Sequence, residues 1–208
     1  MIRTIALMTL LPCSLLAQTE AWLSVGRTGP SSSFYAIDKS TFLAFSWARG
    51  ITIAGGMSFA LTPSISISPE FNYGYFRWDN FNYRGAWIPE YSLRSSTGED
   101  SHIYRVLVNA RLSVRSSNPL RIFVLTGVGY TIEKIGKIQA IVDDMNGPSF
   151  LWEVQYKGES FLTHSLGTGL RFDVIDPIAI DFSAKYFTEY TKRFHTSVNA
   201  GLIYTFNR

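Results

Sequence analysis

Ser197-Val198-Asn199-Ala200-Gly201-Leu202-Ile203-Tyr204-Thr205-Phe206 alternates without a break. In an extended chain successive side chains point to opposite faces. Val198, Ala200, Leu202, Tyr204 and Phe206 therefore share one face, and Ser197, Asn199, Gly201, Ile203 and Thr205 the other. One face is apolar and aromatic, the other small and mostly polar. The preceding segment repeats the pattern, with Ile178, Ile180, Phe182, Ala184 and Tyr186 opposite Asp181, Ser183, Lys185 and Glu189.

Working upstream, Leu162, Leu166, Leu170 and Phe172 oppose Thr163, Ser165, Gly167, Gly169 and Arg171. Ile122, Val124, Val128, Tyr130 and Ile132 oppose a face with Arg121, Gly127, Gly129, Thr131 and Glu133. Tyr104 to Val114 sets Val106, Val108, Ala110 and Leu112 against Arg105, Asn109, Arg111 and Ser113. Ile65, Ile67, Phe71, Tyr73 and Tyr75 oppose Ser66, Ser68, Glu70, Asn72 and Gly74, and residues 51–61 alternate alike. A first segment over Glu20–Thr28 is short, and its facing is ambiguous. Period-two patterning of this kind predicts eight strands.

The connections alternate as well. Thr62-Pro63, Ser116-Ser117-Asn118-Pro119 and Ile175-Asp176-Pro177 are tight turns with proline chemistry. Between them lie long connections near 29–49, 77–100 and 134–159, and a short one near 191–194. Tight turns at one end and long loops at the other are the plan of a bacterial transmembrane barrel. The predicted fold class is all-β, a closed antiparallel up-and-down transmembrane β-barrel of eight strands. A soluble barrel would turn its apolar face inward. Here the polar face is rich in Gly, Ser and Thr with charges of both signs, which suits a narrow lumen. Aromatics collect at the segment ends, as interfacial girdles do.

Charged residues make up only 17% of the 208 residues, against about 25% in an ordinary soluble domain. The net charge of +3 comes without a dense basic run, which argues against nucleic acid as a partner. Arg3, the apolar stretch Ile5–Leu16 and Leu15-Leu16-Ala17 have the three parts of an export signal. The expected organisation is a signal peptide over 1–17 and a barrel domain over 18–208. Cys13, the single cysteine, falls in the signal, so no thiolate metal site is expected, and three scattered histidines make no ligand pattern. No cofactor is expected.

The stretch Asn199-Ala200-Gly201-Leu202-Ile203-Tyr204-Thr205-Phe206 resembles the C-terminal insertion signature of bacterial outer-membrane barrels, carried by Asn199, Gly201, Tyr204 and Phe206, although Asn207 and Arg208 follow. The chain from residue 18 onward is similar in plan to the small eight-stranded barrels of the OmpA transmembrane-domain and OmpX type, in the porin-like superfamily. That resemblance implies the outer membrane of a Gram-negative cell envelope, with insertion by the barrel-assembly machinery. It implies no single activity, since the fold hosts anchors, adhesins, narrow pores and lipid-modifying enzymes.

By parity the lumen receives Glu70, Glu133, Asp181 and Glu189 with Arg105, Arg111, Arg121, Arg171 and Lys185. Eight strands leave an interior just wide enough for side chains to fill. A plugged lumen is expected, in which Glu70 and Asp181 pair with Arg105, Arg111 or Arg171. Above the barrel, Ile135–Val142 and Phe150–Lys157 read as a hairpin turning at Asp143–Pro148. Its edge either binds an extracellular partner by strand addition or is simply protected. Phe76, Trp78, Phe81, Tyr83 and Trp87 read as an interfacial girdle, with lipopolysaccharide contact as the other reading.

His195-Thr196-Ser197 resembles the His-x-Ser element of outer-membrane lipid A deacylases, but parity turns both side chains into the lumen and no acid follows to orient the histidine. The expected function is therefore a non-enzymatic outer-membrane barrel with a structural or surface-interaction role and a largely filled lumen. The alternatives are a narrow porin-like channel for ions or small solutes and a lipid A-modifying enzyme. Expected partners are outer-membrane lipid and lipopolysaccharide, and both termini are expected in the periplasm.

Overall fold

The computed structural model describes residues 19–30, 35–38, 43–46, 50–78, 91–115, 119–134, 136–155, 158–189 and 194–206. The expected signal peptide lies outside the described residues, as do Phe81, Tyr83 and Trp87. The strands are β1 (Thr19–Pro30), β2 (Tyr35–Asp38), β3 (Leu43–Ser46), β4 (Gly50–Ala60), β5 (Ile65–Phe76), β6 (Tyr91–Gly98) and β7 (Ser101–Arg115). They continue as β8 (Leu120–Lys134), β9 (Ile138–Asp144), β10 (Phe150–Val154), β11 (Ser160–Ile175), β12 (Ile178–Glu189) and β13 (Phe194–Thr205).

Eight of these close into a barrel in the order β1-β13-β12-β11-β8-β7-β5-β4. Every neighbouring pair is antiparallel, and β1 closes the ring by pairing β13 on one side and β4 on the other. Closure leaves the barrel no free edge, so backbone groups pair within the sheet, and where the β4–β5 register is interrupted beside Pro69 the Met57 carbonyl accepts from the Ser68 hydroxyl at 2.8 Å. At one end the connections are tight. Leu61 N–H donates to the Ile65 carbonyl at 2.9 Å, and the Thr62 hydroxyl accepts from Ile65 N–H at 3.0 Å. The turn between β11 and β12 is Asp176-Pro177, joined by a cis peptide.

The facing of the strands reverses that of a soluble protein. Val198 is 65% exposed and Leu202 61%, whereas Arg105 is 1% exposed and Glu133 and His195 are fully buried. The face ambiguous in sequence is resolved: β1 is a full strand of 12 residues, with Glu20, Ser24 and Thr28 buried and Leu23 and Val25 turned outward. Trp22 shares the inward parity and donates from Nε1 to Ser68 Oγ at 3.1 Å.

Two of the long connections hold strands. The 29–49 connection holds the β2–β3 hairpin, pairing Tyr35 with Ser46, and the 77–100 connection holds β6. The β7–β8 ladder runs on past the barrel wall: Glu99 N–H donates to the Lys137 carbonyl at 2.9 Å, and Gly98 then pairs with Ile138 as β6 meets β9. β10 adds on the far side of β9, giving the order β10-β9-β6. The expected hairpin over 135–157 is thus shorter, Ile138–Asp144 against Phe150–Val154, and gains a third strand. Period-two alternation is weak in Tyr91–Gly98, YSLRSSTG, because only one of its eight residues is aliphatic.

Candidate functional site

The lumen is filled level by level. Nearest the tight turns, Arg171 Nη1 meets Glu20 Oε1 at 2.7 Å and its Nε meets Asp173 Oδ1 at 2.9 Å. Arg121 Nη2 reaches the other Asp173 oxygen at 2.7 Å. Arg171 and Arg121 are directly paired on the β11–β8 ladder, where two like charges would repel. The Asp173 carboxylate between them offsets this. One level up, Arg111 Nη1 lies 3.9 Å from Asp181 Oδ2, and its guanidinium stacks 3.5 Å above the Phe123 ring. That ring in turn lies on Gly169, where a Cβ would sit 2.4 Å from Phe123 Cζ. Glycine is required there for the ring to approach the backbone.

At mid-depth Lys185 Nζ meets Glu70 Oε2 at 2.5 Å. Glu70 also accepts from Asn109 Nδ2 at 2.8 Å, and Asn109 accepts from the Ser165 hydroxyl at 2.8 Å. The ammonium lies 5.1 Å from the Trp22 ring centroid. Glu70 thus pairs with Lys185 and not with one of the three arginines expected from sequence. The barrel order explains the choice: β5 and β12 stand four positions apart in a ring of eight. The Lys185–Glu70 contact therefore spans the full diameter.

Above it, Arg105 lies 4.5 Å over the Phe187 ring and donates to Asn72 Oδ1 at 3.4 Å. Thr131 and Thr163 share a hydrogen bond between their hydroxyls. Phe76, Ile103, Leu107 and Phe187 are all buried here. His195 Nε2 stands 4.0 Å from Glu133 Oε1, both side chains fully buried, with the Phe76 ring 5.9 Å away. Ser197 is buried too and accepts from Asn199 Nδ2 at 3.1 Å. Both members of the His-x-Ser element therefore lie inside the wall. The Glu189 side chain lies outside the described ones. Among the described residues a cavity of about 40 Å³ lies at the tight-turn end against Thr62 and Ser64, and one of about 30 Å³ beside Glu70 and Lys185, room for a water or two each.

Of the charged and indole-bearing luminal residues, Glu20, Asp173 and Trp22 were missed by sequence reasoning, as were the apolar Ile103, Leu107, Phe123 and Phe187, and Phe76, read as girdle, is buried in the lumen instead. Parity alone would have placed Asp173, two residues beyond Arg171. Glu20 and Trp22 lie on β1, whose facing the sequence leaves open. Among the described residues no three His, Cys, Asp or Glu gather as metal ligands would. Of the residues of the expected insertion signature, Asn199 and Gly201 face inward, Tyr204 and Phe206 outward.

The β10-β9-β6 sheet has a small core of its own. Ile138, Ala140, Val142 and Trp152 are buried, while Ile141 and Leu151 face outward. The Trp78 indole packs flat on Gly98, where a Cβ would fall 2.3 Å from Cδ2. Asp100 accepts from Trp78 N–H at 2.8 Å and from the Tyr75 hydroxyl at 2.5 Å. Burial acts upward on its carboxyl, but the Tyr75 and Trp78 hydrogen bonds and the Arg77 charge together hold it below the usual aspartate range.

Two ion pairs edge the sheet, Arg94–Asp143 at 3.0 Å and Lys137–Glu153 at 2.7 Å. A hydrogen bond from Ser149 and the Arg94 charge lower Asp143, and Lys137 with Gln139 lowers Glu153. A carboxylate depressed in the folded state stabilises above its ordinary value and loses that contribution as pH falls through the depressed one. Amide-exchange protection of β9 and β10 is therefore expected to fall below about pH 4, near ordinary carboxyl values. The barrel strands should keep theirs. Equal loss in both regions would refute this account.

A closed ring of eight antiparallel strands, apolar outside and polar within, is now in view. The fold is that of the small outer-membrane barrels. The chain is similar to Neisserial surface protein A with a TM-score of 0.57 and 11% identity, over 90% of this chain and 97% of that one. It is also similar to Ail, the attachment invasion locus protein of Yersinia pestis, at 17% identity over 91% and 99% of the two chains, with a TM-score of 0.48. The N-terminal β-barrel domain of Pseudomonas aeruginosa OprF matches at 12% identity over 90% and 97%, with a TM-score of 0.46. No family model and no curated protein matches the sequence. At such identities the likeness is one of fold.

Proposed function

We propose that this protein is an integral outer-membrane barrel with a structural or surface-interaction role, and that its lumen is neither a conducting pore nor a catalytic site. One observation carries the reading: the outward face is apolar while the Lys185–Glu70 pair closes the interior across its diameter. An apolar belt on a closed sheet suits hydrocarbon, where backbone groups must be paired internally. The tight turns and the two ends of the barrel face the periplasm in this reading, and the β10-β9-β6 sheet projects outside the cell. Lipid and lipopolysaccharide surround the belt, the barrel-assembly machinery inserts it, and the β10-β9-β6 sheet is where an extended partner strand would add.

A conducting channel needs a continuous polar path, and the Arg171–Glu20, Lys185–Glu70 and Arg111–Asp181 contacts among the described residues stand across it. A lipid-cleaving His–Ser site would have to open on the outer face, where neither His195 nor Ser197 lies. Refolded into a planar bilayer, the protein should give no steady discrete openings. Its gel mobility should still shift on heating, as a folded barrel's does until it is unfolded. Steady openings altered by Lys185→Met would establish the pore instead. No mobility shift, with recovery in the soluble fraction, would overturn the membrane reading.

A further inference from the structure

Five side chains gather on the outward face at the loop end of β5, β7 and β8. Tyr75, His102 and Lys134 stand on one hydrogen-bonded row, Tyr75 paired with His102 and His102 with Lys134. Tyr73 and Tyr104 are paired on the next outward row toward the turns. The cluster is tight. Tyr73 Oη lies 2.8 Å from His102 Nδ1, the Tyr73 and Tyr104 rings are 5.3 Å apart, and Tyr75 is 5.6 Å from the imidazole. Lys134 Nζ lies 5.7 Å from the centroid of the Tyr104 ring.

Its chemistry is that of an anion site at an interface. Lys134 is exposed and makes no ion pair among the described residues. When the Tyr73 hydroxyl donates to Nδ1, a neutral His102 carries its proton on Nε2, which is then a donor with no partner among the described residues. The nearby Asp100 carboxylate is already engaged by Tyr75 and the Trp78 amide. The same outward row runs on through Ile51 to Arg27, a second exposed cation. Tyrosines mark the depth at which a barrel meets the headgroups, and below them Val106 and Val108 face outward from β7. Two donors above an aromatic floor, with an apolar wall beneath, fit an amphiphile whose polar end is anionic.

We propose that Tyr73, Tyr75, His102, Tyr104 and Lys134 form a binding site for the phosphate-bearing headgroup of an outer-leaflet lipid. Lys134 and His102 Nε2 donate to phosphate oxygens, and the acyl chains run down the β7–β8 face. The site rests on the outer-membrane reading, so its test includes a separate check on that reading. The purified full-length barrel would be given diphosphorylated lipid A, or the same lipid after phosphatase treatment, and retained lipid counted by native mass spectrometry.

Phosphorylated lipid should be retained in preference. Lys134→Gln should weaken that retention by about fivefold, the worth of one cation near a lipid surface, and adding His102→Gln should weaken it further. Arg94→Gln, which removes a cation paired with Asp143 on the loop sheet, should change nothing. Equal retention of the two lipids, or retention indifferent to Lys134→Gln, would overturn the site. Full competition by inorganic phosphate at matched concentration would also overturn it, by reassigning the cluster to a free anion. A variant that keeps its heat-dependent mobility shift but loses the lipid supports the site, whereas a wild type without that shift sinks the membrane reading itself.

Discussion

Replacing Lys185 with methionine will destabilise the barrel by about 3–5 kcal/mol, the usual consequence of leaving one half of a buried ion pair in place. Glu70 is fully buried, and the Lys185 side chain is only 5% exposed. Without the ammonium, the carboxylate keeps one hydrogen bond from Asn109, too little to offset the loss of solvation. The second variant separates charge from packing. Glu70→Gln combined with Lys185→Met removes both charges at nearly constant volume, and should recover much of the loss, because exchanging a whole buried pair for neutral groups is often close to neutral. Urea unfolding followed by tryptophan fluorescence would read both, since Trp22 lies against the Lys185 ammonium. If Lys185→Met costs under about 1 kcal/mol, the pair behaves as a solvated surface bridge, and the picture of a closed lumen fails.

The diameter-spanning pair also shows where sequence reasoning ends. Parity assigns Glu70 and Lys185 to the inner face because a strand has only two faces and the opposite one is plainly apolar. Which cation meets which acid depends on ring position and stagger, and those are set by closure. Nothing in the local pattern of β5 tells Glu70 that β12 stands opposite while β7 stands beside it. Eight strands, their facing and the alternation of short and long connections were legible for the same reason: each is a local, repeated signal. The facing of β1 was not, because Trp22 and Leu23 are adjacent large apolar residues and blur the alternation. β6 was not, because its pairing with β9 extends the β7–β8 ladder and requires no amphipathic pattern of its own. Glu20 was lost with β1, and with it one of the two acids that hold Arg171.

Outward-facing valines give the most direct test of what surrounds the barrel. Val108 lies at the centre of the 15-residue β7 and is 52% exposed, while Val114, near the tight-turn end of the same strand, is 66% exposed. In lipid, Val108→Arg should cost about 2–4 kcal/mol, because a guanidinium at the midplane sits in hydrocarbon, whereas Val114→Arg should cost about 0–1 kcal/mol near the interface. Around a water-soluble barrel the same two exposed positions would each change stability by no more than about 0.5 kcal/mol. Unfolding titrations of the two variants in lipid vesicles decide between these. A large difference between Val108 and Val114 can come only from a medium whose polarity changes with depth, since both side chains share one strand and one face. Equal, small effects would mean that water bathes the whole outer wall.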